Sequence, residues 1–271
     1  MKKIKNLIGA NYGDEGKGMG TRYFCLNTEN PIVIFYQGSN NRGATIEKKD
    51  NFKIQLRHLG AGTFDNVSTY FAKDFVLNPV EFENEYYNII YKNKALPPIY
   101  VDTKCRIITP VDSILDRIRI IWMRQQGIQW HSTGIGTNSV DLRSKYPDLD
   151  FKYESFLNAS DPARICQYIF DNWFYQGLKE FGITEIPDIF KIYETAEKGI
   201  INGFYEKFSL YNETINNLKK ILIPKTFDEI YHHFDTLIFE PNAGLRLGLE
   251  SDIAGIYRTA SYVGIKNPVE L

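Results

Sequence analysis

Residues 4–36 read IKNLIGANYGDEGKGMGTRYFCLNTENPIVIFY. A short apolar run, Ile4 to Ala10, ends at a glycine-rich loop and predicts a buried strand. Gly18 to Leu26 then reads as a helix, and Pro31 to Tyr36 (PIVIFY) as a second buried strand. The order strand, loop, helix, strand begins a parallel α/β sheet. A loop between a buried strand and a helix presents unpaired N–H groups, and the helix dipole favours an anion there. Glycines let the backbone approach phosphate oxygens closely, and Lys17 adds a mobile positive charge. The loop is neither a Walker A motif, which needs glycine where Asn11 stands and a hydroxyl residue where Gly18 stands, nor the GxGxxG fingerprint. On these residues alone, a plain strand-to-helix turn remains an alternative to a phosphate site.

Outward from this stretch, Ala44 to Leu59 alternates apolar and polar residues around Lys49-Asp50-Asn51, which predicts a hairpin. Ser68 to Phe71 reads as a strand and Pro79 to Tyr91 as a helix with proline in its first turn. Val111 to Gln126 is an amphipathic helix with Ile114, Leu115, Ile118, Ile121 and Trp122 on one side. Gly127 to Asp150 shows little periodicity and reads as a long loop. Asp161 to Phe181 and Asp188 to Ile221 read as helices, and Thr236 to Glu240 as a buried strand. The expected fold is α/β: a mainly parallel sheet including residues 4–9, 32–36 and 236–240, with flanking helices. One domain over 1–271 carries a helical insertion at 150–225.

Composition narrows the functional classes. The chain has 271 residues, 43% of them hydrophobic, ample for a core. Lys+Arg number 32 against 33 Asp+Glu, a net charge of −1, so nucleic acid is an unexpected partner. No stretch approaches the roughly 20 apolar residues of a membrane span, and the start Met1-Lys2-Lys3-Ile4 lacks the apolar run of a signal peptide. Cys25, Cys105 and Cys166 are isolated, without metal-binding spacing, and read as reduced thiols of a cytoplasmic protein. Adjacent His232-His233 read as a surface pair; Trp122, Trp130 and Trp173 read as packing residues.

Six segments together resemble one family. Tyr12-Gly13-Asp14-Glu15-Gly16-Lys17-Gly18 resembles the W-G-D-E-G-K-G signature of adenylosuccinate synthetases. Tyr36 to Thr45 (YQGSNNRGAT) is similar to the family's Y-Q-G-G-x-N-A-G-H-T, and Leu56 to Gly62 (LRHLGAG) to its L-H-L-L-P-S-G. Val76-Leu77-Asn78-Pro79 resembles V-V-x-x-P, His131 to Gly136 (HSTGIG) resembles T-T-G-x-G-I-G, and Phe239 to Gly244 (FEPNAG) resembles F-E-G-A-Q-G. The matches are collinear over nearly the whole chain.

The resemblance implies an adenylosuccinate synthetase-like fold, related to P-loop NTPases. It also implies a reaction: GTP cleavage drives phosphorylation of a purine 6-oxygen, and an amine then displaces the phosphate. By this resemblance Asp14 is the candidate catalytic base and a magnesium ligand, with the Gly43 carbonyl as a second metal contact. Gly13, Glu15, Gly16, Lys17 and Gly18 would cradle the triphosphate, with Lys17 on its charge. Asn41 and Thr133 would hold the purine nucleotide, Thr259 its phosphate, and Arg143 would reach a neighbouring subunit's nucleotide in a homodimer. Asp14 as a helix cap, Asn41 as a turn residue, Thr133 as a loop hydroxyl and Arg143 as a solvated charge are the plain alternatives.

Departures from the family pattern set the limits. The family's catalytic histidine falls at Ala44, and its purine-contacting glutamine at Ala243. Its arginine-rich aspartate-binding loop and lysine-aspartate guanine-reading segment have no counterpart in the 271 residues, so aspartate and guanine specificity are not implied. Three readings stay open: a magnesium-dependent enzyme transferring phosphoryl groups from a nucleoside triphosphate to a purine nucleotide, or hydrolysing the triphosphate; a regulatory protein that binds nucleotide with impaired catalysis; and one component of a complex whose protein partner completes the site.

Overall fold

Six strands, all parallel to their neighbours, form the central sheet of the computed structural model. The structure describes residues 2–9, 16–47, 52–92, 94–128, 133–187 and 199–241, with backbone alone for 199–206. The sheet runs β1 (Lys3–Asn6), β10 (Thr236–Phe239), β2 (Pro31–Phe35), β5 (Ser68–Phe71), β7 (Ile99–Val101), β9 (Leu222–Pro224). β3 (Ala44–Glu47) and β4 (Lys53–Leu56) form the expected antiparallel hairpin, Ala44 opposite Leu56; its turn lies outside the described residues. β6 (Val76–Leu77) and β8 (Arg106–Ile107) pair in parallel.

Parallel sheets bury both faces, and the sequence of β2 meets that demand. Val33 and Phe35 join a large core with Phe71, Val101 and Ile238; Ile32 and Ile34 join a second core with Tyr70, Leu237 and Phe239. Helices α1 (Lys17–Leu26), α2 (Pro79–Tyr91), α3 (Pro110–Gln125), α6 (Pro162–Glu180) and α7 (Gly199–Ile221) stand on the first side. The short α8 (Phe227–His233) covers the second through Ile230. Helices therefore flank both faces, as expected. No helix among the described residues is long and apolar enough to cross a membrane.

Local chemistry fixes where the helices start. Asn78 accepts from the Glu81 amide and Pro79 follows it at the first position of α2. Thr109 and Asp112 form a reciprocal capping box at α3, as Thr226 and Glu229 do at α8.

The structure revises three expectations. β1 is shorter than the apolar run and is an edge strand among the described residues, with Ile4 59% exposed. It still belongs beside β2: Ile4 pairs with Leu237, which pairs with Ile32, so β10 alone separates them. The supposed loop 127–150 contains α4 (Thr137–Arg143) and a 3-10 turn at Pro147–Leu149. Hydrophobic periodicity misses α4 because its buried face is mostly polar: Thr137, Ser139, Val140 and Arg143. The 150–225 region is helical over α5 (Tyr153–Asn158), α6 and α7, and their side chains join the main core through Phe156, Trp173 and Ile215. Residues 188–198 lie outside the described set.

Arg143 differs most from its expected role. It is fully buried, its Nε 2.8 Å from Asp112 Oδ1 and its Nη2 3.1 Å from Oδ2. Two further N–H groups donate to the Leu149 carbonyl at 2.6 Å and the Ile107 carbonyl at 2.7 Å. A guanidinium so committed within its own subunit does not reach a neighbouring nucleotide in this conformation. Breaking a buried pair strands a desolvated charge, so Arg143→Ala should cost about 3–5 kcal/mol in urea denaturation. A loss under about 1 kcal/mol would contradict this structural role.

Candidate nucleotide site

Ligands of open parallel sheets bind beyond the carboxyl ends of the strands. Beyond β2 the chain runs through Tyr36, Gln37, Gly38, Ser39 and Asn40, all buried. Gly38 has φ 79° and its carbonyl accepts from the Val76 amide at 2.8 Å, anchoring the turn to β6. Asn41 and Gly43 then face solvent while Arg42 turns inward. The Arg42 guanidinium lies 4.3 Å from the Phe35 ring centroid, donates to the Leu59 carbonyl at 3.1 Å and pairs with Glu240, the residue after β10. This buried pair ties the carboxyl ends of two adjacent strands together. Gln37 Oε1 and Glu240 Oε2 are buried there without a hydrogen-bond partner among the described residues. Such acceptors each cost about 1–3 kcal/mol unless a donor arrives.

Helix α1 follows Gly16, which takes the left-handed φ of 76° that suits glycine. Lys17 is half-buried at the first helical position. Close contact explains Gly18: a Cβ there would stand 3.1 Å from the Ala44 Cβ and 3.8 Å from the Ala61 Cβ. The helix is thus laid on the start of β3 and on the 61–62 segment, where a Cβ on Gly62 would meet the Cys25 sulfur at 2.6 Å. Arg22 clamps this packing with two bonds to Asp65, at 2.7 and 3.1 Å. Cys25 is buried in the same contact, and burial pushes its thiol up to about 12, well away from nucleophile chemistry.

A buried carboxylate organises the 57–59 turn. Glu85 on α2 accepts the amides of Arg57, His58 and Leu59 at 3.0, 2.9 and 3.1 Å, and lies 3.2 Å from His58 Nδ1. Burial pushes this carboxyl up, but bonding to the His58 ring and to the Leu59 and His58 amides outweighs it and holds the group below its ordinary value. The 133–138 segment is gripped in a similar way by α3. Thr133 is exposed; Gly134 and Gly136 have φ of 66° and 112° and lie so close to Ile120 and Ile108 that a Cβ on either would come within 2.8 Å. Ser113 donates to the Ile135 carbonyl at 3.0 Å.

The expected site residues therefore divide. Gly16, Lys17 and Gly18 start α1 against Ala44, next to Gly43; Asn41 stands in the same turn; Thr133 belongs to a separate segment held by α3; Arg143 is internal. Gly13, Asp14, Glu15, Ala243 and Thr259 lie outside the described residues. Among the described residues no three His, Cys, Asp or Glu side chains gather as a metal site, and His232 and His233 are an exposed pair. Trp173 packs fully buried, its Nε1 2.8 Å from Ser139 Oγ. Sequence reasoning passed over Arg42 and Glu85. The available signal for Arg42 was a charged residue where the family pattern has alanine.

Two measurements follow. Ala44 is 8% exposed and belongs to the core, so an imidazole at this position has no room without moving α1. Ala44→His should lower stability by about 1–3 kcal/mol in thermal unfolding and should not raise phosphoryl transfer; a stable, faster variant would contradict the packing. For Glu85 the folded-state value lies below the unfolded one, so its stabilisation is present above about pH 4.3 and is lost as pH falls through the folded value. Glu85→Gln should remove that part of the acid loss from the pH dependence of the urea midpoint. Parallel curves for the two proteins would show that Glu85 contributes nothing.

Comparison with known proteins places this arrangement. A family model described as adenylosuccinate synthetase matches residues 6–224. Adenylosuccinate synthetase of Buchnera aphidicola subsp. Baizongia pistaciae is 26% identical over 96% of this chain and 59% of its own length. That of Thermosipho africanus is 23% identical over 98% of this chain and 63% of its own. The chain thus spans about 60% of these relatives. The fully ligated adenylosuccinate synthetase of Plasmodium falciparum superposes with TM-score 0.69 at 17% identity, over 100% of this chain and 58% of that one. Succinoaminodeoxyadenylate synthetase of cyanophage S-2L, bound to dGMP and dATP, superposes at TM-score 0.54 and 11% identity, over 92% of this chain and 54% of that one. With its model matched over most of the length and its segments in collinear order, the chain belongs to the adenylosuccinate synthetase family.

Proposed function

We propose that this chain binds a purine nucleotide and a nucleoside triphosphate and transfers a phosphoryl group between them with magnesium. One observation carries the reading: the N-terminus of α1 packs directly on Ala44 at the start of β3, and Arg42 in the turn just before it is locked to the end of β10. Family segments far apart in sequence thus meet at the ligand-bearing end of the sheet. Phosphoryl transfer needs chiefly positioning and charge neutralisation. Lys17 and the amides at the start of α1 supply donors and positive charge for the triphosphate. Asp14 is the proposed base, taking the purine proton so that the 6-oxygen can attack the terminal phosphorus; the nucleoside diphosphate leaves, and an amine then displaces phosphate from the purine. A hard cation suits oxygen donors: the Asp14 carboxylate and the Gly43 carbonyl, on an exposed residue, would hold magnesium beside the phosphates and so spread their charge.

Ala44 favours a second reading, nucleotide binding with little phosphoryl transfer. The family's histidine position is filled by a methyl group packed on Gly18. A homodimer is the proposed assembly, with a contact other than Arg143 joining the subunits. A protein partner that completes the site is a third arrangement.

Titration calorimetry with magnesium and a panel of triphosphates should show Lys17→Ala binding weaker by about 1.5–3 kcal/mol. Asp14→Asn should retain some binding and lose turnover. Binding indifferent to Lys17→Ala would end the phosphate-loop assignment, and turnover surviving in Asp14→Asn would move the base elsewhere. Turnover absent from wild type but restored by a partner protein would select the third arrangement; binding without turnover would select the second.

A further inference from the structure

The carboxyl of Asp116 is 1% exposed on the inner face of α3. One oxygen, Oδ2, accepts the Gly136 amide at 2.9 Å, the Asn138 amide at 3.3 Å and the Asn138 side chain at 3.4 Å. The other, Oδ1, is buried with no hydrogen-bond partner among the described residues. We propose that Asp116 is the positioning residue of the Thr133–Asn138 segment, holding it closed with a proton on Oδ1 and releasing it when that proton leaves. The role for nucleotide rests on the proposed function and on the family resemblance, which implies Thr133 as a purine-nucleotide contact.

Solvation decides the direction. All donors converge on Oδ2, so ionisation would place charge on an Oδ1 that no donor solvates, a costly state in a buried site. A proton on Oδ1 removes that charge and leaves Oδ2 free to accept the same three bonds. Burial accordingly pushes the group up to about 7, against the Gly136 and Asn138 amides and Arg119, which pull it down; Asp112 pushes it up further. Opening the segment lets water solvate the carboxylate and returns it towards the ordinary value of about 3.9. The closed form therefore binds the proton more tightly than the open form, so closure weakens as pH rises from about 4 to about 7 and is constant above that.

The charged surroundings leave this direction intact. Arg119 lies one turn along α3, with its guanidinium over the Phe181 ring at 4.5 Å. Asp112, one turn back, is paired with Arg143 of α4. On α7, Tyr211 donates to the Ile108 carbonyl and stays un-ionised, burial holding it well above its ordinary value. Residues 134–138 carry no titratable side chain, and His131 lies outside the described residues.

Hydrogen exchange on the full chain tests the proposal without any ligand. Corrected for intrinsic rates, protection of the Gly136 and Asn138 amides should fall about tenfold between about pH 5 and 6 in wild type and level off above about pH 7.5. In Asp116→Asn, whose amide oxygen still accepts but whose side chain does not ionise, protection should stay flat. Purine monophosphate affinity should follow, wild type weakening several-fold relative to Asp116→Asn over the same range. Flat protection in wild type, or the same slope in both proteins, overturns the proposal. If neither protein binds a purine monophosphate at any pH, the proposed function of the segment falls and the exchange result still decides the clamp. Should Asp116→Asn not fold, ¹³C titration of the wild-type carboxyl decides: a midpoint near 7 supports the clamp, and one at about 4 overturns it.

Discussion

The ion pair between Asp112 and Arg143 is the constraint on which one half of this molecule depends. Both side chains are fully buried. Asp112 also caps α3 through the Thr109 amide and hydroxyl, and accepts the Ser139 hydroxyl, which in turn accepts the Trp173 N–H. Arg143 meanwhile satisfies carbonyls of Ile107 and Leu149. One ion pair thereby joins β8, α3, α4, the following 3-10 turn and α6. Buried charges carry a desolvation cost that only dense hydrogen bonding offsets; here both Asp112 oxygens accept more than one bond and each Arg143 nitrogen donates at least one. The energetic balance leaves Arg143 little latitude to leave, which argues for an internal role.

A common device holds the segments around the candidate site. Carboxyl groups on helices collect backbone amides from neighbouring segments: Glu85 from the turn at residues 57–59 and Asp116 from Gly136 and Asn138 at the start of α4. Arg42 does the reverse, donating to a turn carbonyl while reaching Glu240. Irregular backbone near a buried sheet needs partners for every N–H and C=O, and these side chains provide them. Small residues complete the arrangement, since Gly18, Ala44 and Ala61 let α1 lie against the turn. That packing sets the N-terminus of α1 beside Gly43, and it also closes the space an imidazole would need at residue 44.

Much of the sheet was legible in the sequence because buried parallel strands leave continuous apolar runs: PIVIF over β2 and TLIF over β10 are of this kind. Helix α2 was legible from its proline start and α3 from its periodicity. The helix at 137–143 was not, since its inward face is built from hydroxyls and an arginine. β7 and β9 escaped notice at three residues each, too short for periodicity to register. At the site, Gly16 to Gly18 and Gly43 followed from the motif, and chain order alone linked them to Glu240. What no motif supplied was the set of buried charged partners, Arg42, Glu85 and Asp116. Their role arises from tertiary contacts between segments 20 to 198 residues apart, and hydrophobic patterning is silent about it.

On the proposed function, ligands enter at the carboxyl ends of β1, β10 and β2. A crystal structure of the protein with magnesium, a non-hydrolysable triphosphate and a purine monophosphate tests it most directly. Triphosphate density is expected at the start of α1 near Lys17, and purine nucleotide density between Asn41 and Thr133. Density instead in the groove at the opposite end of the sheet, lined by Pro31, Ser68, Tyr100, His233 and Phe234, would contradict it.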